Sequence, residues 1–193
     1  MKRSKISIPL VLFILIFMNV FCEAEDLRTY LKEKMNIRVT LPHGVVLVPQ
    51  IEQEEVDYQF AFRYPNKDYE IRCSFWPIDY FDGDAPAIPF FVDCILFNIA
   101  QDESNVGQIY SFSDEDTKYH FGADIGAIST ITGEASLFSK GFKYVDVMFF
   151  IKVDSGLAII FILYNNPEVK SEEEYIAAYH CLFFDEWPSI PSQ

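Results

Sequence analysis

His120 stands four residues after Asp116 and four before Asp124. If Ser113 to Phe121 is helical, Asp116 and His120 share one face, with Asp124 just beyond. A carboxylate–imidazole–carboxylate set can ligate a divalent cation, or a carboxylate can orient the imidazole as a general base. A solvated helix face with Asp favoured in its first turn gives the same pattern. The other two histidines offer less. His43 lies in a Pro-His-Gly turn, where a backbone role suffices, and His180 and Cys181 are helix neighbours pointing about 100° apart. The sequence contains no G-x-S-x-G, no H-E-x-x-H, no phosphate-cradling Gly loop and no C-x-x-C.

A second chemical feature is longer. Between Arg72 and Lys118 there is no basic residue, while Asp79, Asp82, Asp84, Asp93, Asp102, Glu103, Asp114, Glu115 and Asp116 all fall there. Clustered carboxylates and loop carbonyls suit calcium, which takes about 6–8 oxygens. Asp79-x-x-Asp82-Gly-Asp84 has the acid density of a calcium loop, but the twelfth position from Asp79 is Phe90, so the bidentate Glu of an EF-hand is missing. A solvated acidic rim that keeps the protein soluble is the alternative. Trp76, Tyr80 and Phe81 lead out of a strand into this loop. Trp76, Asp79, Tyr80, Phe81, Asp82 and Asp84 together form a candidate surface for a protein, peptide or glycan; packing of the aromatics beneath the loop is the simpler reading.

These residues belong to an export-type chain. Met1 to Lys5 is basic, Ile8 to Met18 is an unbroken apolar run, and Cys22-Glu23-Ala24 supplies small residues for leader cleavage. Residues 1–24 therefore read as a secretory signal peptide and 25–193 as one domain. Lipidation at Cys22 is disfavoured by Phe21 and Asn19, and Ile6 to Cys22 is barely long enough for an uncleaved anchor. The expected location is periplasmic or secreted, with membrane anchoring as the alternative. Residues 1–24 hold Lys2, Arg3, Lys5 and Glu23, so removing them takes the net charge from −14 to −16. That charge opposes nucleic acid or an anionic membrane surface as partner. The domain retains Cys73, Cys94 and Cys181, each among apolar neighbours, which allows one disulfide or three buried thiols.

Positioning these groups requires several elements. Glu25 to Met35 reads as an amphipathic helix, and Asn36–Leu41 and Val45–Val48 as short strands. Tyr58, Phe60, Phe62 and Tyr64 alternate with Asp57, Gln59, Ala61 and Arg63, and after a four-residue turn Tyr69, Ile71, Cys73 and Phe75 alternate with Glu70, Arg72, Ser74 and Trp76. This predicts an antiparallel hairpin with an aromatic core face and a polar outer face, Arg63 opposite Glu70. Phe90 to Ala100 reads as a buried helix, Ser113 as the cap of a short helix, and Ile125–Thr132 as a strand. Lys143–Val153 and Leu157–Tyr164 form a second hairpin whose second arm, apolar on both faces, belongs mid-sheet. Ser171-Glu-Glu-Glu174 reads as a capping box opening the last helix, with Tyr175, Ile176, Tyr179, Leu182 and Phe183 on its buried stripe.

The sum is a single α+β domain: an antiparallel sheet of about seven strands in two meanders, covered by helices in an α/β/α sandwich-like arrangement. Hairpin, buried helix, acidic-capped helix, hairpin and C-terminal helix is an order that resembles PsbP-like proteins over most of the domain. The resemblance lies in layout and implies an exported binding or assembly factor rather than an enzyme. The expected function is therefore an exported, acidic, non-enzymatic binding protein. The alternatives are a metal-assisted hydrolase using His120 with Asp116 or Asp124, and a membrane-anchored structural surface protein.

Overall fold

The structure is a computed structural model that describes residues 27–50, 56–132 and 136–185. The leader with Cys22, and Trp187 to Pro191 at the other end, lie outside the described residues. Among the described residues no helix is long and apolar enough to cross a membrane.

The fold is α+β. Residues 27–35 form α1, followed by α2 (Ala87–Ala100), α3 (Asp114–Phe121) and α4 (Glu173–Tyr179). Seven strands make one antiparallel sheet. In spatial order they are β2 (Val46–Val48), β3 (Phe60–Arg63), β4 (Tyr69–Pro77), β8 (Gly156–Tyr164), β7 (Tyr144–Lys152), β6 (Ile125–Thr132) and β5 (Tyr110–Ser111). A separate two-stranded ribbon joins β1 (Ile37–Val39) to β9 (Leu182–Phe184).

Every residue of β8 is buried, because this strand is the middle one of the seven and both its faces are covered. On one face Ile71, Cys73, Met148, Phe150, Ile160 and Ile162 pack against α1, α3, α4 and the β1–β9 ribbon. On the other, Val147, Phe149, Ile159 and Phe161 meet Ile88, Val92, Ile95 and Ile99 of α2. Each such fully buried side chain contributes about 1.5–3 kcal/mol relative to exposure, so both layers are firmly held.

Several expectations change. The β3–β4 register is as expected, Phe62 facing Ile71, but the hairpin's second face is not solvent-facing. Glu70, Arg72, Ser74 and Trp76 are all buried there, beneath α2 and Phe138. The alternation also breaks before Phe60: Tyr58 packs on the α2 side, edge-on to Phe138 at 6.2 Å. No capping box opens α4. Asn166 and Pro167 start a 3-10 turn four residues earlier, and the Ser171 hydroxyl donates instead to the Glu168 carbonyl. Leu182 and Phe183 lie not on the last helix but in β9, which pairs with β1 some 145 residues upstream in the register Ile37–Phe184. Gly122 permits this docking: it ends α3 at φ 65°, and a Cβ there would run into the Phe184 carbonyl.

Candidate functional site

Pro77 ends β4, and Ile78–Phe81 winds into a single 3-10 turn closed by Asp82 in the left-handed conformation. Backbone bonds fix the loop: Asp82 N–H to Asp79 C=O at 3.2 Å, Gly83 N–H to Ile78 C=O at 3.2 Å and Asp84 N–H to Phe81 C=O at 2.8 Å. Its aromatic residues divide. Trp76 and Phe81 are 9% exposed and pack their ring centroids 5.2 and 5.3 Å from Phe91 of α2. Tyr80 also touches Phe91, at 5.7 Å, yet is 62% exposed. Phe90, the next residue back on α2, is 73% exposed. Asp79, Asp82 and Asp84 are exposed and form no ion pair among the described residues. The turn thus presents carboxylates around projecting aromatic rings on a backbone already locked in place.

The second candidate group is arranged differently from a ligand set. Ser113 caps α3, its Oγ accepting from Asp116 N–H at 3.0 Å and donating to the Asp116 carboxylate at 2.7 Å. Asp124 accepts from Val153 N–H at 2.9 Å and from Lys152 Nζ at 3.2 Å, bracing the β7–β8 turn. His120 instead faces His180, with ring centroids 5.3 Å apart, and His180 stacks on Phe121 at 5.7 Å. Burial, then the neighbouring His120, lowers the His180 pKa from its ordinary value. Among the described residues no three His, Cys, Asp or Glu side chains converge on a point that could hold a metal ion.

Two buried charge clusters are invisible in the sequence pattern. Asp146 sits in the apolar run of β7 and is fully buried. Its carboxylate accepts from Thr130 at 2.7 Å, Tyr164 at 2.9 Å and Tyr175 at 2.5 Å, and Lys170 Nζ lies 2.8 Å away. On the opposite face Arg72 Nε donates to Glu70 at 2.8 Å, and the guanidinium is sandwiched between Tyr58 and Phe138 at 4.9 and 4.8 Å. Nη2 is also 2.8 Å from the same Glu70 oxygen but lacks the angle of a hydrogen bond, while Nη1 donates to the Phe138 carbonyl. The enclosed Asp146 carboxylate accepts several hydrogen bonds, and the enclosed Glu70 pairs with Arg72 through one oxygen while Lys140 Nζ lies 3.8 Å from the other, so both act to hold elements together.

A half-open pocket of about 310 Å³ also lies between α1, β1, β2 and β3, lined by Leu31, Val39, Leu47 and Phe60 among others. No residue pattern announces it, because its walls come from four separate segments.

No family model, curated protein or solved structure matches this chain.

Proposed function

We propose that this chain is an exported, non-enzymatic binding protein that engages a cationic protein or peptide segment through the Ile78–Phe81 turn and the start of α2. The supporting observation is the pairing of exposed Tyr80 and Phe90 with Asp79, Asp82 and Asp84, carboxylates with no ion-pair partner among the described residues. Aromatic anchors ringed by charge are the composition of recognition surfaces, the rings contributing most of the energy and the carboxylates steering the encounter. The turn is pre-organised by its backbone bonds and by Phe91, so little ordering entropy opposes binding. The PsbP-like order of elements, with its implied role in binding and assembly, favours the same reading.

The test is affinity capture from the exported fraction, using the wild-type chain, a Tyr80→Ser/Phe90→Ser double variant and His120→Ala. The expected result is a partner retained by wild type and by His120→Ala and lost from the double variant. Equal capture by the double variant, with unchanged thermal unfolding, would discard this surface. Turnover of a substrate that disappears in His120→Ala would favour the hydrolase alternative.

A further inference from the structure

The cavity beneath α1 lies apart from the proposed partner surface and has its own chemistry. Leu31, Val39, Leu41, Leu47 and Phe60 make its walls apolar. Of the three polar lining residues among the described ones, two are partly committed to the fold: Gln50 Nε2 donates to the Tyr58 carbonyl at 2.6 Å, and Gln59 Oε1 accepts from Phe75 N–H at 2.7 Å. The third, Arg28, is exposed and makes no hydrogen bond or ion pair with any described residue. An apolar chamber bordered by one uncommitted guanidinium is complementary to an apolar chain ending in one carboxylate.

Size and charge narrow the ligand further. About 310 Å³ holds roughly ten groups the size of a water molecule at about 30 Å³ each, and a methylene is of similar bulk. The net charge of −14 does not prevent an anion from binding here. Charges more than about 8 Å away are screened at physiological salt, whereas the contact with Arg28 is local. We propose that this cavity is a binding site for a free single-chain carboxylate amphiphile of about ten carbons, its tail among Val39, Leu41, Leu47 and Phe60 and its carboxylate on Arg28.

Isothermal titration of the purified chain with hexanoate, octanoate, decanoate, tetradecanoate and decanol tests this. Saturable one-to-one binding is expected, tightening about fourfold per added methylene and levelling off near ten carbons. Decanoate should bind about tenfold more tightly than decanol, and Arg28→Gln should erase that preference while leaving decanol affinity unchanged. Leu47→Trp, which fills the chamber at its half-open edge, should weaken both ligands. Absence of saturable binding, affinity that keeps rising with chain length, or a decanoate preference that survives Arg28→Gln would each overturn the proposal. So would co-sedimentation with phosphatidylcholine–phosphatidylglycerol vesicles in place of binding to free decanoate, which would assign the surface to membrane lipid.

Discussion

The Tyr175 hydroxyl donates to the Asp146 carboxylate at 2.5 Å, tying α4 to β7 across the core on that face of the sheet. Tyr164 and Thr130 reach the same carboxylate, and Lys170 neutralises it from the solvent side. Burial, with Asp146 adding to it, holds both tyrosine hydroxyls well above the usual phenol range, so they remain protonated donors. Removing the shared acceptor strands buried donors, and Asp146→Ala is expected to cost about 3–5 kcal/mol in denaturant unfolding. Tyr175→Phe removes one donor and should cost about 1–3 kcal/mol. Tyr69 provides the contrast: its hydroxyl is buried with no hydrogen-bond partner among the described residues. Tyr69→Phe should therefore be neutral or stabilising by about 1 kcal/mol. A midpoint for Asp146→Ala within error of Tyr69→Phe would refute this account of the network.

Features governed by local periodicity were legible in the sequence. Alternation set the β3–β4 register, Ser113 with its following acids marked the start of α3, and the two-faced apolarity of residues 157–164 placed β8 mid-sheet. Features governed by distant pairing were not. Leu182 and Phe183 fit a helical stripe until β1 offers them a ladder, a partner that no local window contains. Asp146 looks like a lone polar interruption of an apolar strand, and Arg72 like an outward-facing polar residue in an alternating one. What buries them is a second layer, α4 for one and Phe138 with Tyr58 for the other. At the candidate surface, charge and aromatic spacing identified the turn but could not sort Tyr80 from Trp76 and Phe81. That distinction depends on where Phe91 of α2 comes to rest.

The cysteines differ in their surroundings and should differ in reactivity. Cys73 and Cys181 are buried, while Cys94 on α2 is half-buried. Burial pushes the Cys73 thiol well above its ordinary range, and its hydrogen bond with Cys181 pushes it further. Brief alkylation of the native protein at pH 8, followed by peptide mass spectrometry, should label Cys94 and spare Cys73 and Cys181. All three should label in guanidinium. Native labelling of Cys73 at the rate of Cys94 would contradict the burial of this pair.

The His120–His180 contact makes a pH-dependent contribution whose sign can be worked out. His180 is shifted below its ordinary value of 6.5 in the folded chain, by burial and then by His120, and regains that value on unfolding. Below about pH 6.5 the unfolded chain binds this proton more readily, so the site costs stability as pH falls and costs nothing above it. Both rings are partly solvated, which keeps the effect small: a fall in Tm of about 1–3 °C between pH 7.5 and 5.5 relative to a His180→Phe control. Phe preserves the stacking on Phe121 and cannot titrate, so carboxylate titration common to both proteins cancels in the comparison. His120→Gln removes the neighbouring imidazole that helps lower the His180 pKa and should recover part of the difference. Parallel melting curves for wild type and His180→Phe across this window would mean that burial and His120 do not lower the His180 pKa.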